Sequence, residues 1–110
     1  MGCTFQKPVL VDSWESLVAE AERLQFSGDY LLAKVRIGVK GLDTRMRTLK
    51  SQAEVIHLML LYRAKEDETR KGWIDTWWNS MNSIFIDFTR YQKEILETLH
   101  EFDEKIVAWI

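Results

Sequence analysis

The stretch LAKVRIGVKGLDTRMRTLKSQAEVIHLML, residues 32–60, decides the fold. Its apolar residues Leu32, Val35, Val39, Leu42, Met46, Leu49, Ala53, Ile56 and Leu60 alternate three and four apart without a slip. That spacing is a heptad seam, the pattern of a helix packed lengthwise against another helix. A second seam follows downstream at Trp78, Met81, Phe85, Phe88, Gln92, Ile95, Leu99, Phe102, Ile106 and Trp109. Gln92 is its one polar member. Two such seams joined by a charged segment predict a long antiparallel helical hairpin, with arms over residues 29–71 and 73–110.

The rest of the chain adds one shorter helix. Trp14, Leu17, Val18, Ala21 and Leu24 form a helical stripe. Asp12 with Glu15 three residues on is a capping-box pattern, with Asp in place of Ser or Thr. Ser27-Gly28-Asp29 reads as the end of this helix, which the pattern places over residues 13–26. Residues 1–11, with Phe5, Pro8 and Val9 to Val11, are expected to lie extended across the helices. The predicted class is all-α and three-helix-bundle-like, in one domain over residues 1–110. The β-branched alternation of strands is absent, and the single proline, Pro8, leaves everything after it free to be helical.

Within the hairpin, Gly38 and Gly41 are weak points, each costing up to about 1 kcal/mol relative to alanine. A break there, with Asp43 as a new cap, is the alternative to one continuous arm. The undisturbed phase through Val35, Val39, Leu42 and Met46 favours continuity. Arg70 and Lys71 suit a helix C-terminus and Gly72 the position just past it, so the turn is expected near Gly72. That turn would set Leu42, Met46 and Leu49 opposite Ile95, Leu99 and Phe102.

Composition excludes several classes. With 46% hydrophobic and 29% charged residues the chain is globular rather than disordered. The net charge of −2 gives no overall attraction to nucleic acid or to anionic membranes. One cysteine, Cys3, cannot form an internal disulfide and fits a reducing compartment; the expected location is the cytoplasm. Gly2 raises the question of myristoylation, but Gln6 stands where that motif wants serine or threonine.

Few residues point to chemistry. Glu54-Val55-Ile56-His57 and Glu97-Thr98-Leu99-His100 have the Glu-x-x-His spacing of di-iron carboxylate bundles. The predicted hairpin sets the two pairs about 15 Å apart along its axis, too far to share a site, so no metal and no cofactor is expected. Lys34, Arg36, Lys40, Arg45, Arg47 and Lys50 form a basic run, interrupted by Asp43. In the predicted hairpin residues 40–50 face residues 94–104, which carry Glu94, Glu97, Glu101, Asp103 and Glu104, and register-setting salt bridges are favoured over nucleic-acid binding. No glycine-rich phosphate loop and no nucleophile–histidine motif occurs, so an enzyme is not expected. No residue motif ties the chain to a known family.

The informative feature is an excess of apolar surface near the turn. Residues 55–62 are apolar almost all the way round, and a second stripe of Ile74, Trp77, Met81, Ile84 and Phe88 runs beside the seam. A helix ending at Phe26 and folding back from Gly28 reaches only to about residue 43 and cannot cover this region by itself; the alternative is a thick three-helix core closed there by the segment Val9-Leu10-Val11. The expectation is therefore a non-enzymatic interaction module, associating through Leu58, Leu61, Tyr62, Trp73, Ile74, Trp77, Trp78 and Ile84. The partner expected is a second copy, as a homodimer, or another helical protein. A membrane surface is the alternative, since tryptophan favours the headgroup region.

Overall fold

The computed structural model describes residues 13–109, with three helices and no strand among them. They are α1, Trp14–Arg36; α2, Asp43–Ala64; and α3, Glu68–Trp109. All three pack on one another around a single apolar cluster, so the chain is an all-α, three-helix-bundle-like fold. The extended segment proposed for 1–11, the Asp12 cap, Gly2, Cys3 and Ile110 lie outside the described residues.

The chain divides into helices differently from the expectation, for three local reasons. First, Ser27-Gly28-Asp29 does not end α1. Gly28 is buried inside it, on the seam Leu17, Ala21, Leu24, Gly28, Leu31 and Val35. A Cβ there would come within 3.2 Å of Ile84 Cγ2 and 3.3 Å of Leu49 Cδ2. This glycine lets α1 sit deep between α2 and α3; it is a packing residue and not a stop signal.

Second, the long arm does break between Arg36 and Asp43. Gly38 and Gly41 have φ of +92° and +77°, a region that disfavours residues with a Cβ. The Gly38 and Val39 amides donate to the carbonyls of Val35 and Lys34, the paired bonds of a Schellman cap. The unbroken spacing from Val35 to Met46 is a coincidence of loop length. Asp43 is the first residue of α2.

Third, the turn between α2 and α3 lies at Lys65–Asp67 and not at Gly72. Lys65 takes the positive φ of 50° that glycine would usually hold. The Asp67 carboxylate accepts from the Arg70 amide and caps α3. Arg70 and Lys71 pair with Asp67, Glu66 and Glu68 around this turn. Gly72 sits in the first turns of α3 with open space around it.

These shifts reset the levels of the bundle. α1 starts beside the start of α3, where the Trp14 and Trp73 rings meet edge to face at 6.0 Å. It then runs parallel to α3, with Ala21 beside Trp77, Gly28 beside Ile84 and Arg36 over Tyr91. α2 runs antiparallel, with His57 stacked on Trp78, Lys50 over Phe85 and Asp43 hydrogen-bonded to Gln92. Leu42, Met46 and Leu49 are buried as expected. Leu49 however lies level with Ile84 rather than Ile95, because the turn falls several residues earlier.

Candidate interaction surface

The helix-3 part of the expected interface is consumed by the bundle itself. Ile74, Trp77 and Ile84 are buried, Trp77 with only 3% of its surface exposed. Its indole N–H donates to the carbonyl of Ala21. Trp73 and Trp78 are half-buried against the core. The expectation that the first helix could not cover this region fails because α1 starts at the level of Trp73 and runs alongside α3 through Ile84. Of the expected interface, Leu58, Leu61 and Tyr62 remain on the surface, at 67%, 40% and 73% exposure. Val55 joins Leu58 and Tyr62 on the face of α2 turned away from the core.

A larger uncovered surface lies at the opposite end. α1 and α2 have 23 and 22 residues, or about 34 Å each, whereas the 42 residues of α3 span about 63 Å. The connection between α1 and α2 lies level with Gln92 and Ile95, where Val35, Val39, Leu42, Ile95 and Leu96 line a groove of about 230 Å³. Past that level no described part of α1 or α2 buries a side chain of α3. Every described side chain from Leu96 to Ile106 is exposed. Among them are Leu96, Leu99, Phe102 and Ile106.

These side chains are not scattered. Ile74, Trp77, Met81, Ile84, Phe88, Ile95, Leu99, Phe102 and Ile106 hold helical spacing throughout. The face of α3 that forms the core from Ile74 to Phe88 is the face left bare beyond Ile95. This surface was present in the second sequence seam; the misplaced turn hid it by assigning residues 40–50 as its cover.

The charges divide in the same way. None of Lys34, Arg36, Lys40, Arg45, Arg47 and Lys50 forms an ion pair among the described residues. Lys34, Arg36 and Lys50 lie instead over the rings of Tyr30, Tyr91 and Phe85. Glu94, Glu97, Glu101 and Asp103 likewise form no ion pair there, and Glu104 pairs with His100 at 2.9 Å. The register-setting bridges between these two groups are therefore not made within the chain.

His57 stacks on Trp78 with centroids 4.2 Å apart and planes 3° from parallel. Burial pushes its imidazole below the ordinary value, against the opposing charge of Asp75. Among the described residues no group of three or more His, Cys, Asp or Glu side chains is placed to hold a metal ion. No described helix is long and apolar enough to cross a membrane. Comparison with protein-family models, curated proteins and solved structures finds no match to the chain.

Proposed function

We propose that this chain is a non-enzymatic helical interaction module of the cytoplasm, associating through Ile95, Leu99, Phe102 and Ile106 of α3. The observation that carries the reading is phase: apolar side chains keep core register beyond the point where the core ends. A helix face of that kind is completed by another helix packing along it. A contiguous apolar strip of this length is also uncommon on a soluble monomer. The lone Cys3 supports a reducing compartment.

The test is a photo-crosslinking amino acid placed at Phe102, at Tyr62 and, as reference, at Asp29. In cells expressing the full chain, a discrete adduct from position 102 and none from position 29 is the expected result. No adduct from position 102 would sink the reading. An adduct from position 62 alone would favour the second surface, Val55, Leu58, Leu61 and Tyr62 beside the charged turn. Those residues also suit a membrane surface, with the turn among the headgroups, and sedimentation with neutral and anionic vesicles checks that occupant directly.

A further inference from the structure

We infer that the partner of the bare α3 face is a basic amphipathic helix of another protein. On the reading above, which names the face, two observations name the chemistry of its occupant.

The first is the shape of the seat. The strip over residues 95–106 is about 17 Å long, or three turns of helix. Ile95, Leu99, Phe102 and Ile106 follow one another 4, 3 and 4 residues apart, a seam that fits the apolar stripe of one helix. It starts beside the groove lined by Val35, Val39, Leu42 and Leu96, where the bundle core ends. An occupant helix therefore lies along α3 and abuts the α1–α2 connection.

The second is charge. Residues 94–106 carry five carboxylates, Glu94, Glu97, Glu101, Asp103 and Glu104, against the single lysine Lys105. Glu97, Glu101 and Asp103 form no ion pair among the described residues, and Glu104 pairs only with His100. Asp103 flanks the strip, four residues from Leu99 and three from Ile106, while Glu97, Glu101 and Glu104 lie behind it. A helix is about 10–12 Å across, close to the Debye length of roughly 8–10 Å, so the carboxylates behind add to the field in front. At the bundle end Arg36 and Lys40 offset Glu94 and Asp43 in the grooves beside Ile95, which concentrates the negative field on levels 97–104.

That field selects among occupants. A second copy docked on the strip would bring two such segments together. Antiparallel pairing of Ile95 with Ile106 sets Glu97 level with Glu104, and parallel pairing sets each carboxylate beside its twin. Nucleic acid and an anionic membrane also carry the sign of the tip. A helix with lysine or arginine beside its apolar stripe matches the face in shape and in sign.

The probes are two synthetic peptides of about 14 residues with leucine in the spacing of the strip, one carrying lysine and the other glutamate elsewhere. Titrated with the purified full chain and followed by fluorescence anisotropy, the lysine peptide should bind with a dissociation constant on the order of 10 µM, and the glutamate peptide at least about tenfold more weakly. Rising salt should weaken the lysine peptide. Phe102→Asp adds a negative charge but removes the central apolar anchor, and should weaken the lysine peptide at least about thirtyfold. Its helical content and melting temperature should match those of the wild type. Glu101→Lys, Asp103→Lys and Glu104→Lys together should reverse the preference between the peptides. Lysine-peptide binding that survives Phe102→Asp would be charge adsorption alone and would overturn the seat. Equal binding of both peptides, or of neither, with adducts still formed in cells at position 102, would overturn the basic partner and leave the module reading standing. Loss of those adducts as well would remove both. A full chain that self-associates in light scattering, or sediments with anionic vesicles, through a contact abolished by Phe102→Asp would assign the face to that occupant and overturn the inference.

Discussion

The indole nitrogen of Trp77 donates to the carbonyl oxygen of Ala21 at 2.8 Å, a buried bond linking α3 to α1. The ring fits there because position 21 carries only a methyl group. Trp77→Phe removes the donor and part of the ring volume, and should cost about 1–3 kcal/mol from the lost bond and the void together. Urea melts measure it. A change within a few tenths would mean that α1 and α3 are held at this level by other contacts.

The glycines of α1 and α3 should respond to substitution with opposite signs. Gly72 is helical and has open space where a Cβ would stand, so Gly72→Ala should stabilise by up to about 1 kcal/mol. A Cβ added at Gly28 would stand 3.2 Å from Ile84 and 3.3 Å from Leu49, so the branched side chain of Gly28→Val overpacks the space between α2 and α3. Overpacking of that kind costs about 1–3 kcal/mol. Thermal melts of the pair decide it, and two stabilised variants would refute the close approach.

The class was legible because three helical stripes survive any error in where helices end. The boundaries were not, because each hung on one residue acting against its usual sense. Gly28 lies mid-helix for packing, Gly72 lies mid-helix exposed, and Lys65 occupies the left-handed position of the real turn. Moving the turn from Gly72 to Lys65–Asp67 slides α2 along α3 by several residues. That slide, together with α1 continuing through Gly28 to Arg36, is why Ile74, Trp77 and Ile84, read as surface, are core, and why Leu99 and Phe102, read as core, are bare. The exposed members Leu58, Leu61 and Tyr62 were legible because residues 55–62 are apolar on more sides than any bundle can cover.

Leu49→Ala should cost about 2–5 kcal/mol, since the side chain is buried level with Gly28 and Ile84. Glu97→Ala, on the exposed part of α3, should change stability by only a few tenths. Paired urea melts give both numbers. Equal losses would show that the bundle end, and not the level of Leu49, limits stability.

His57 should make the fold sensitive to mild acid. Burial holds its folded-state pKa below that of the unfolded chain, about 6.5. Above that value the imidazole is neutral in both states and contributes nothing to pH dependence. As pH falls through it, the unfolded chain binds the proton first, and stability drops until the folded-state pKa is passed. His57→Gln should remove this component while leaving the carboxylate-driven loss at lower pH, to which Glu20, held low by its hydrogen bond from Arg23, contributes. Melting temperatures of both proteins between pH 7 and 5 show it. Superimposable curves would mean that protonated His57 is accommodated on Trp78 without cost.

The sharpest consequence of the fold is that α3 should be two helices in stability though one in geometry. From Ile74 to Phe88 its core face is buried, and those amides should exchange only through opening of the whole bundle. From Leu96 to Ile106 every described side chain is exposed, and the segment must hold its helix on local bonds alone. Isolated helices of about 12–15 residues are marginal in water, so these amides should exchange orders of magnitude faster in dilute solution. Protection should then spread from Leu96 towards Ile106 when the lysine peptide is added, because pairing supplies the missing face. Hydrogen exchange with and without the peptide reads both effects. Equal protection of the two halves in the peptide-free sample would mean that part of the same chain already covers Leu99 and Phe102, and the bare face would not be a surface for a partner.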